Sequence, residues 1–572
     1  MTIEHKLLAF LARYPNQQFK PKELQRRLSL RTNEEYQALK GVLRQLQEVN
    51  KIERVKNGRF SHLEILQLVI GIFQMTKQGF GFVRLSQRDE EIFIAPRFRG
   101  MAVNGDTVEV SLFAEGKQKR NPGEKREGEV VRVVERAHAE IVGTLEQNWN
   151  SYSVIPDDAR IACDIFVEKE QLHQALVGQK VVVKIDAWGK GHLNPQGHIV
   201  EVLGYAGEVS AEMRSVVREF QLPEQFPPAV MLEVEQIPPV IPEEELRRRA
   251  DYREWVTITI DPDDAKDFDD ALSLEQLPDG SYRLGVHIAD VSYYVREGSE
   301  LDQEALRRGT SVYLPNMVVP MLPEKLSSGL CSLRPHEERL THSILMAVSS
   351  RGAVKDYEIH ESVIRSNHRF TYGEVQNILD GKETPSWLGE RSEAIISLLT
   401  MMHTLSTTLT KKRMKDGSID FDSPEAGFQF DEHGVPVTII KKERLESHRL
   451  VEEFMLLANR MIARRIALVK KEENPKPFLY RIHESPDPDR IKELALFVEK
   501  FGYRLNIDSG VSSKVLQKLL AEVRGSEEEN VINEVALRSM ARRCTLNGIS
   551  DITGWHLITI LILLHPSVVT RI

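Results

Sequence analysis

Cysteine is nearly absent from this 572-residue chain. The three it has, Cys163, Cys331 and Cys544, lie far apart and match neither a disulfide framework nor a metal-ligand spacing. That scarcity fits a reducing, cytoplasmic setting. Positive charge is not in excess either. Against 76 Lys and Arg stand 85 Asp and Glu, a net charge of −9, so nucleic-acid binding has to come from local basic patches. Long apolar runs are also missing. The longest, HLITILILLH at 556–565, is too short to cross a bilayer. The opening MTIEHKLLAFLARYP lacks the architecture of a signal peptide. Together these absences argue against a secreted disulfide scaffold and against a membrane partner.

What is present suits several cores: 41% of residues are hydrophobic, and the length suggests about three to five domains. Residues 1–65 show apolar residues at helical spacing in HKLLAFLARYP, KPKELQRRLSL and NEEYQALKGVLRQLQEVNKI. An Asn-Gly turn then falls between two β-prone runs. Three helices and a hairpin make the pattern of a winged helix-turn-helix. A small protein-contact module is the alternative. Over 66–137 the pattern changes to apolar–polar alternation with Gly at the turns, as expected of a five-stranded β-barrel. Phe73, Phe80, Phe82 and Phe93 are interleaved there with Lys77 and Arg84. Aromatic and basic residues together suit base stacking, and Phe80, Phe82 and Phe93 are candidate RNA-binding residues. About half of the four rings are expected to be core instead. A basic loop, KQKRNPGEKR at 117–126, adds local charge. The same order of strands and turns recurs at 138–204, which predicts a tandem second barrel with Trp149 and Tyr152 at the aromatic turn. Proline-dense residues 205–250, with a helix-like AEMRSVVREFQLP, read as a connector packed on its neighbours, and residues 251–542 as one large α/β unit.

That last unit opens on the strand VTITI and then IDPDDAKDFDDA, in which six of twelve residues are aspartates. Asp267 and Asp269 point together in extended backbone, Asp270 points away, and a loop can bring Asp261 round to join them. Carboxylates this close repel unless a cation or shared protons neutralise them. With no His or Cys nearby, the donor set suits a hard cation, Mg²⁺ or alternatively Mn²⁺. Such sites hydrolyse phosphodiesters. A solvated acidic loop and a structural Ca²⁺ site are the competing readings. The spacing is not that of an EF-hand.

The string TIDPDDAKDFDDALS is followed by HIADVSYYV, GTSVYLPNMVVPMLPEKLSSGLCSLRP, GSIDF, LVEEFMLLAN and YRIHESP. In this order they resemble the catalytic domain of the ribonuclease II/R family. The order of the whole chain over 1–542 is similar too. The resemblance implies a multidomain α+β protein: a winged helix-turn-helix, two cold-shock-type OB barrels and an RNB-type catalytic domain. It implies processive 3′→5′ hydrolysis of RNA to nucleoside 5′-monophosphates. RNA is then the partner, with the ribosome or other RNA-decay factors as further ones, and the chain is expected to act as a monomer. Within the motif, Asp261, Asp267, Asp269 and Asp270 match the metal-binding and catalytic aspartates, Asp269 being the one most directly needed for cleavage. Asp264 lies in the motif but is not always acidic in the family. Tyr313 matches a tyrosine that positions the 3′-terminal nucleotide, Phe421 an aromatic that stacks the last bases, and Glu452 a glutamate near the end of the RNA path. From the residues alone, Tyr313 and Phe421 would read as core.

The similarity breaks at Arg543. The family's next segment carries arginines that the resemblance implies grip the phosphate, whereas this chain reads RCTLNGISDITGWHLITILILLHPSVVTRI. Back-translation suggests why. Joining the last base of each codon to the first two of the next lets Ser550–Ile562 read I-G-H-Y-G-L-A-F-D-Y-Y-T-H, and the remainder S-S-A-P-I-R-R-Y-P-D. The expectation is a shift of frame near residues 542–544. Residues 543–572 are then an out-of-frame tail without the C-terminal RNA-binding barrel, and the chain a weakened nuclease that retains RNA binding. Sequencing the gene across these codons checks it: an unambiguous read with no extra or missing base sinks the idea of a misread frame.

Overall fold

The computed structural model describes residues 3–547, except 14–16, 49–51, 56–57, 63–67, 86–90, 114–125, 150, 190–193, 316, 383–388, 390–391, 420–424, 432–434, 470–478, 484–485, 508–510 and 541–542. Phe421, most of the basic loop 117–126 and the tail beyond residue 547 therefore lie outside the described residues. The chain divides into two compact units, residues 1–222 and 223–572.

In the first unit, helices α1 (Ile3–Arg13), α2 (Pro21–Arg27) and α3 (Asn33–Glu48) precede a hairpin of β1 (Ile52–Val55) and β2 (Arg59–His62). Their apolar stripes converge on a core that includes Leu7, Leu11, Leu24, Leu39 and Leu43. Strands β3 (Leu68–Met75), β4 (Gly81–Leu85), β5 (Glu91–Ile94), β6 (Thr107–Leu112) and β7 (Arg126–Glu135) close a barrel in the order β3-β4-β5-β7-β6. Strands β8 (Glu140–Asn148), β9 (Ser151–Pro156), β10 (Ile165–Val167), β11 (Gln179–Ala187) and β12 (Gln196–Tyr205) close a second barrel in the same cyclic order. The tandem repeat extends to single residues. A Cβ on Gly71 of β3 would lie 2.4 Å from the Arg84 carbonyl oxygen, and one on Gly143 of β8 2.2 Å from that of Ile155. Each barrel's first strand thus needs glycine where its neighbour crosses closely.

One detail differs from expectation. Tyr152 packs against the core of the second barrel, while Trp149 stands almost wholly exposed at the hairpin tip, so the two do not form one aromatic turn. Residues 205–250 open with a helix. Helix α4 (Val209–Glu219) buries Ala211, Ser215 and Val217, and its Arg214 and Arg218 pair with Glu201 of β12. Its buried stripe and these two ion pairs to Glu201 dock the helix on the second barrel.

The second unit begins with α5 (Pro228–Gln236), α6 (Glu243–Arg248) and the short β13 (Ala250–Asp251). Next come β14 (Thr257–Asp261), β15 (Asp270–Gln276), β16 (Tyr282–Ala289), α7 (Val291–Tyr294), α8 (Glu300–Arg308) and a small hairpin of β17 (Val312–Leu314) and β18 (Met317–Val319). Strands β19 (Glu338–Val348), β20 (Val354–Arg365) and β21 (His368–Thr371) follow, then α9 (Tyr372–Leu379) and α10 (Ser392–Lys415). A hairpin of β22 (Glu425–Phe430) and β23 (Pro436–Lys442) leads to α11 (Glu446–Val469). The rest is β24 (Leu479–His483), α12 (Pro488–Glu499), α13 (Ser513–Val523), α14 (Glu529–Ser539) and β25 (Arg543–Asn547). The first five residues of the expected tail are thus a strand, antiparallel to β24.

Seven strands form one sheet, in the order β13-β20-β19-β16-β15-β14-β21. Its two faces carry separate cores. Ile258, Ile260, Leu272, Leu274 and Phe370 pack with α9, α10 and α11. On the other side Ala271, Ala289, Leu340 and Val363 pack with α5, α7 and α8. Through the sheet runs a buried polar chain. His287 Nε2 meets Ser273 Oγ at 2.9 Å and Nδ1 meets Ser343 Oγ at 2.6 Å, which continues to Ser362 at 2.6 Å. Burial drives the imidazole down to about 3, so it stays neutral and ties four adjacent strands together through hydroxyls.

Candidate active site

The site grows out of a defect in the sheet. Strands β14 and β15 pair antiparallel only at Thr257–Ser273 and Ile258–Leu272. Beyond those pairs they splay, and β14 runs on to Asp261 alongside β21 instead. Asp261 at the end of one strand and Asp270 at the start of the other therefore flank an opening. The connecting loop, residues 262–269, supplies Asp267 and Asp269. Asp263 and Asp264, in the same loop, are exposed.

The electrostatics register the crowding. Burial raises the Asp261 carboxyl to about 6; the nearby charge of Asp267 adds to this and the Arg369 guanidinium opposes it. Asp269 is pushed well above the ordinary range by burial, then by Asp267, Asp270 and Asp261 in turn. Asp270 is raised to about 7 by burial and by Asp261. The four aspartates singled out in the sequence thus lie near enough for their charges to be felt. They are not drawn in tightly: among the described residues, no three His, Cys, Asp or Glu side chains already form a cluster that could hold an ion. Two features still fit a hard cation. Every donor is oxygen, and Asp261 Oδ2 is buried with no hydrogen-bond partner.

Tyr313 stands beside this acid group. Its ring is 55% exposed and its hydroxyl donates to Asp267 Oδ2 at 3.1 Å, so it is not the core residue that its apolar context suggests. Burial of the hydroxyl and the charges of Asp267 and Asp269 raise it above the usual phenol range. Glu452, on α11, is half-buried and paired with Arg444. In the first unit Phe80, Phe82 and Phe93 form a three-ring cluster with centroids 5.6–5.8 Å apart, on the outer side of the first barrel. Phe82 and Phe93 face each other across β4 and β5. Phe73 is the core member of the set, fully buried, because it falls on the inward alternation of β3 with Met75.

Three side chains at the site carry no mark in the local sequence. Arg369, on β21, donates through Nη2 to the carbonyls of Pro262 (2.6 Å) and Asp263 (3.2 Å), while its Nε is buried and unpaired. Tyr372, stacked on His448 at 3.9 Å, lies close enough to Asp270 and Asp261 that burial and their charges raise its hydroxyl. Ser332 Oγ accepts the Phe268 N–H at 3.0 Å, between Asp267 and Asp269. All three come from segments 60 or more residues downstream of the loop. Below the site, Asp290 caps α7 and is buried against Arg249 (2.6 Å). Burial works against its charge, yet hydrogen bonds from His342, Ser292 and Arg249 hold it below the usual carboxylate range.

Comparison with known proteins adds an independent observation. The RNB domain family matches residues 249–549, running a few residues past Arg543, and the Cold shock domain family matches 154–227. The Ribonuclease B OB domain family matches 71–133. Ribonuclease R of Aquifex aeolicus is 38% identical over 508 residues, covering 89% of this chain and 70% of that protein. Ribonuclease R of Thermotoga maritima is 37% identical, covering 91% of this chain and 72% of that protein. Among solved structures, Mycoplasma genitalium RNase R in complex with ribose-methylated single-stranded RNA superposes with a TM-score of 0.76 at 24% identity, over 86% of this chain and 75% of that one.

Proposed function

Because this chain belongs to the RNB-domain family of ribonuclease R, we infer that it is a 3′→5′ exoribonuclease, degrading single-stranded or 3′-tailed RNA to nucleoside 5′-monophosphates. What supports this reading at the level of chemistry is the placement of Asp261 and Asp270 on either side of the opening between β14 and β15, with Asp267 and Asp269 on the loop that joins them. A partly buried, mutually repelling set of carboxylates costs stability and is retained where it has work to do. We assign all four as ligands of a divalent cation, Mg²⁺ with Mn²⁺ as the alternative. When bound, the cation supplies an activated water and stabilises the leaving oxygen.

The protein's own contribution is positional. The exposed ring of Tyr313, held by its hydroxyl to Asp267, offers the terminal nucleotide a face beside the carboxylates. Phe80, Phe82 and Phe93 offer a stacking platform indifferent to base identity, which a general degrader needs. Phe421 and Glu452 are assigned to the RNA path. We further propose that residues 1–65 form a winged helix-turn-helix, that the two barrels span 66–137 and 138–204, and that the protein works as a monomer in the cytoplasm, with the ribosome or decay factors as additional partners. Among the described residues no helix is long and apolar enough to cross a membrane. The test is Asp269→Asn. Single-stranded RNA hydrolysis in Mg²⁺ is expected to vanish while RNA binding persists. Undiminished hydrolysis by the variant refutes the assignment, and absent hydrolysis by the unaltered chain leaves RNA binding as its function.

A further inference from the structure

Like charges on a short loop push it apart, so something outside the loop has to hold its backbone. Phe268, the residue between Asp267 and Asp269, is pinned on three sides. Its N–H donates to Ser332 Oγ (3.0 Å), its carbonyl accepts from the Leu333 N–H (2.8 Å), and its ring joins the core formed by Ala271, Leu326 and Leu333. The same Ser332 hydroxyl donates to the Lys266 carbonyl at 3.4 Å. One fully buried oxygen thus spans the backbone on both sides of Asp267. The next carbonyl, that of Asp269, accepts from the Ala289 N–H at 3.0 Å. Ser332 is itself rigidly mounted. It follows a six-residue π-helical stretch, Lys325–Leu330, whose Lys325 ammonium donates to the carbonyls of Val234, Glu235 and Ile237.

We propose that Ser332 is a positioning residue for hydrolysis: its hydroxyl sets the backbone of Lys266–Phe268 so that Asp267 and Asp269 face the opening together. It touches neither substrate nor cation, and acts through the spacing of two carboxylates. The inference rests on the function proposed above, and its test separates the two.

The isosteric pair Ser332→Thr and Ser332→Val differs only in the hydroxyl, so any strain from the added methyl group is common to both. With single-stranded RNA in Mg²⁺, the Val variant is expected to lose about tenfold or more in kcat, with KM changed less than about threefold, and the Thr variant to recover most of the loss. Mn²⁺ titration followed by electron paramagnetic resonance needs no turnover. It is expected to show about tenfold weaker binding in the Val variant than in the Thr variant. Equal kcat and equal Mn²⁺ affinity in the two variants overturn the proposal, as does a KM effect as large as the kcat effect. If the unaltered chain binds Mn²⁺ but hydrolyses nothing, the functional reading fails, and the Mn²⁺ comparison still decides the role of Ser332.

Discussion

Replacing Asp270 by Asn should make the metal-free protein more stable while abolishing its activity. Asp270 sits at the start of β15 with its carboxyl raised to about 7 by burial and by Asp261. An unfolded aspartate ionises near 4. Below that pH both states hold the proton and nothing is lost. As pH rises towards 7, the unfolded chain releases its proton while the folded chain keeps it, so the folded state loses ground. Above 7 both are ionised and the full penalty applies. The interval is about three pH units, which at 1.36 kcal/mol each gives up to about 4 kcal/mol at pH 8, of which about 1.4 kcal/mol, one unit's worth, is already present at pH 5. The neutral isostere avoids it. Urea unfolding in the presence of a chelator is therefore expected to show Asp270→Asn more stable than the unaltered chain, by a margin about 2.5 kcal/mol larger at pH 8 than at pH 5. Adding Mg²⁺ should close the gap by stabilising only the unaltered chain. A margin independent of pH, or an Asn variant that is the less stable one at pH 8, refutes the reasoning.

Three other outcomes follow from the geometry. Phe82→Ala removes one ring of the outer cluster from a barrel whose core does not need it, so affinity for single-stranded RNA should fall by roughly 1–3 kcal/mol with the melting curve of the unit unchanged; unaltered binding by fluorescence anisotropy would exclude the cluster as a platform. Arg249→Met leaves Asp290 charged and buried, and should destabilise the second unit by about 3–5 kcal/mol in urea; a loss below 1 kcal/mol would mean that the pair is neutral there. A DNA strand of matched sequence should survive conditions that degrade the RNA, because discrimination is expected to come from contacts to the 2′-hydroxyl; equal degradation points to a general exonuclease.

The parts of this molecule that could be read from sequence are those where the physics is local. Six aspartates in twelve residues announce a repulsion that has to be neutralised, whatever the fold. Alternation along β3 and β4 marks a half-buried strand, and the repeat of that pattern marks the second barrel. The same alternation also separates Phe73 from the outer rings, since it shares the inward side of β3 with Met75. Tyr313 was found only by resemblance, because three strand residues in SVYLP look the same whether the strand is core or rim. Ser332, Arg369 and Tyr372 escaped because nothing beside them in sequence is charged or patterned towards the site; only the strand order brings them there. The prolines of 205–250 mark where regular structure breaks, not which neighbour a helix such as α4 packs on.

The splay between β14 and β15 also bears on when the protein becomes competent. Beyond Ile258 the strand that ends in Asp261 has its only ladder with β21, and the Thr257 N–H donates its anchoring bond to the side-chain oxygen of Asn367, 110 positions later. Loop closure over that distance precedes any reward from pairing. During synthesis the aspartates leave the ribosome long before the strand that will hold them exists. A nascent chain that has not reached Thr371 has no partner for the end of β14, and no counter-charge from Arg369. The acid cluster is translated early and assembled late, so a growing chain is not yet a nuclease beside the message that encodes it.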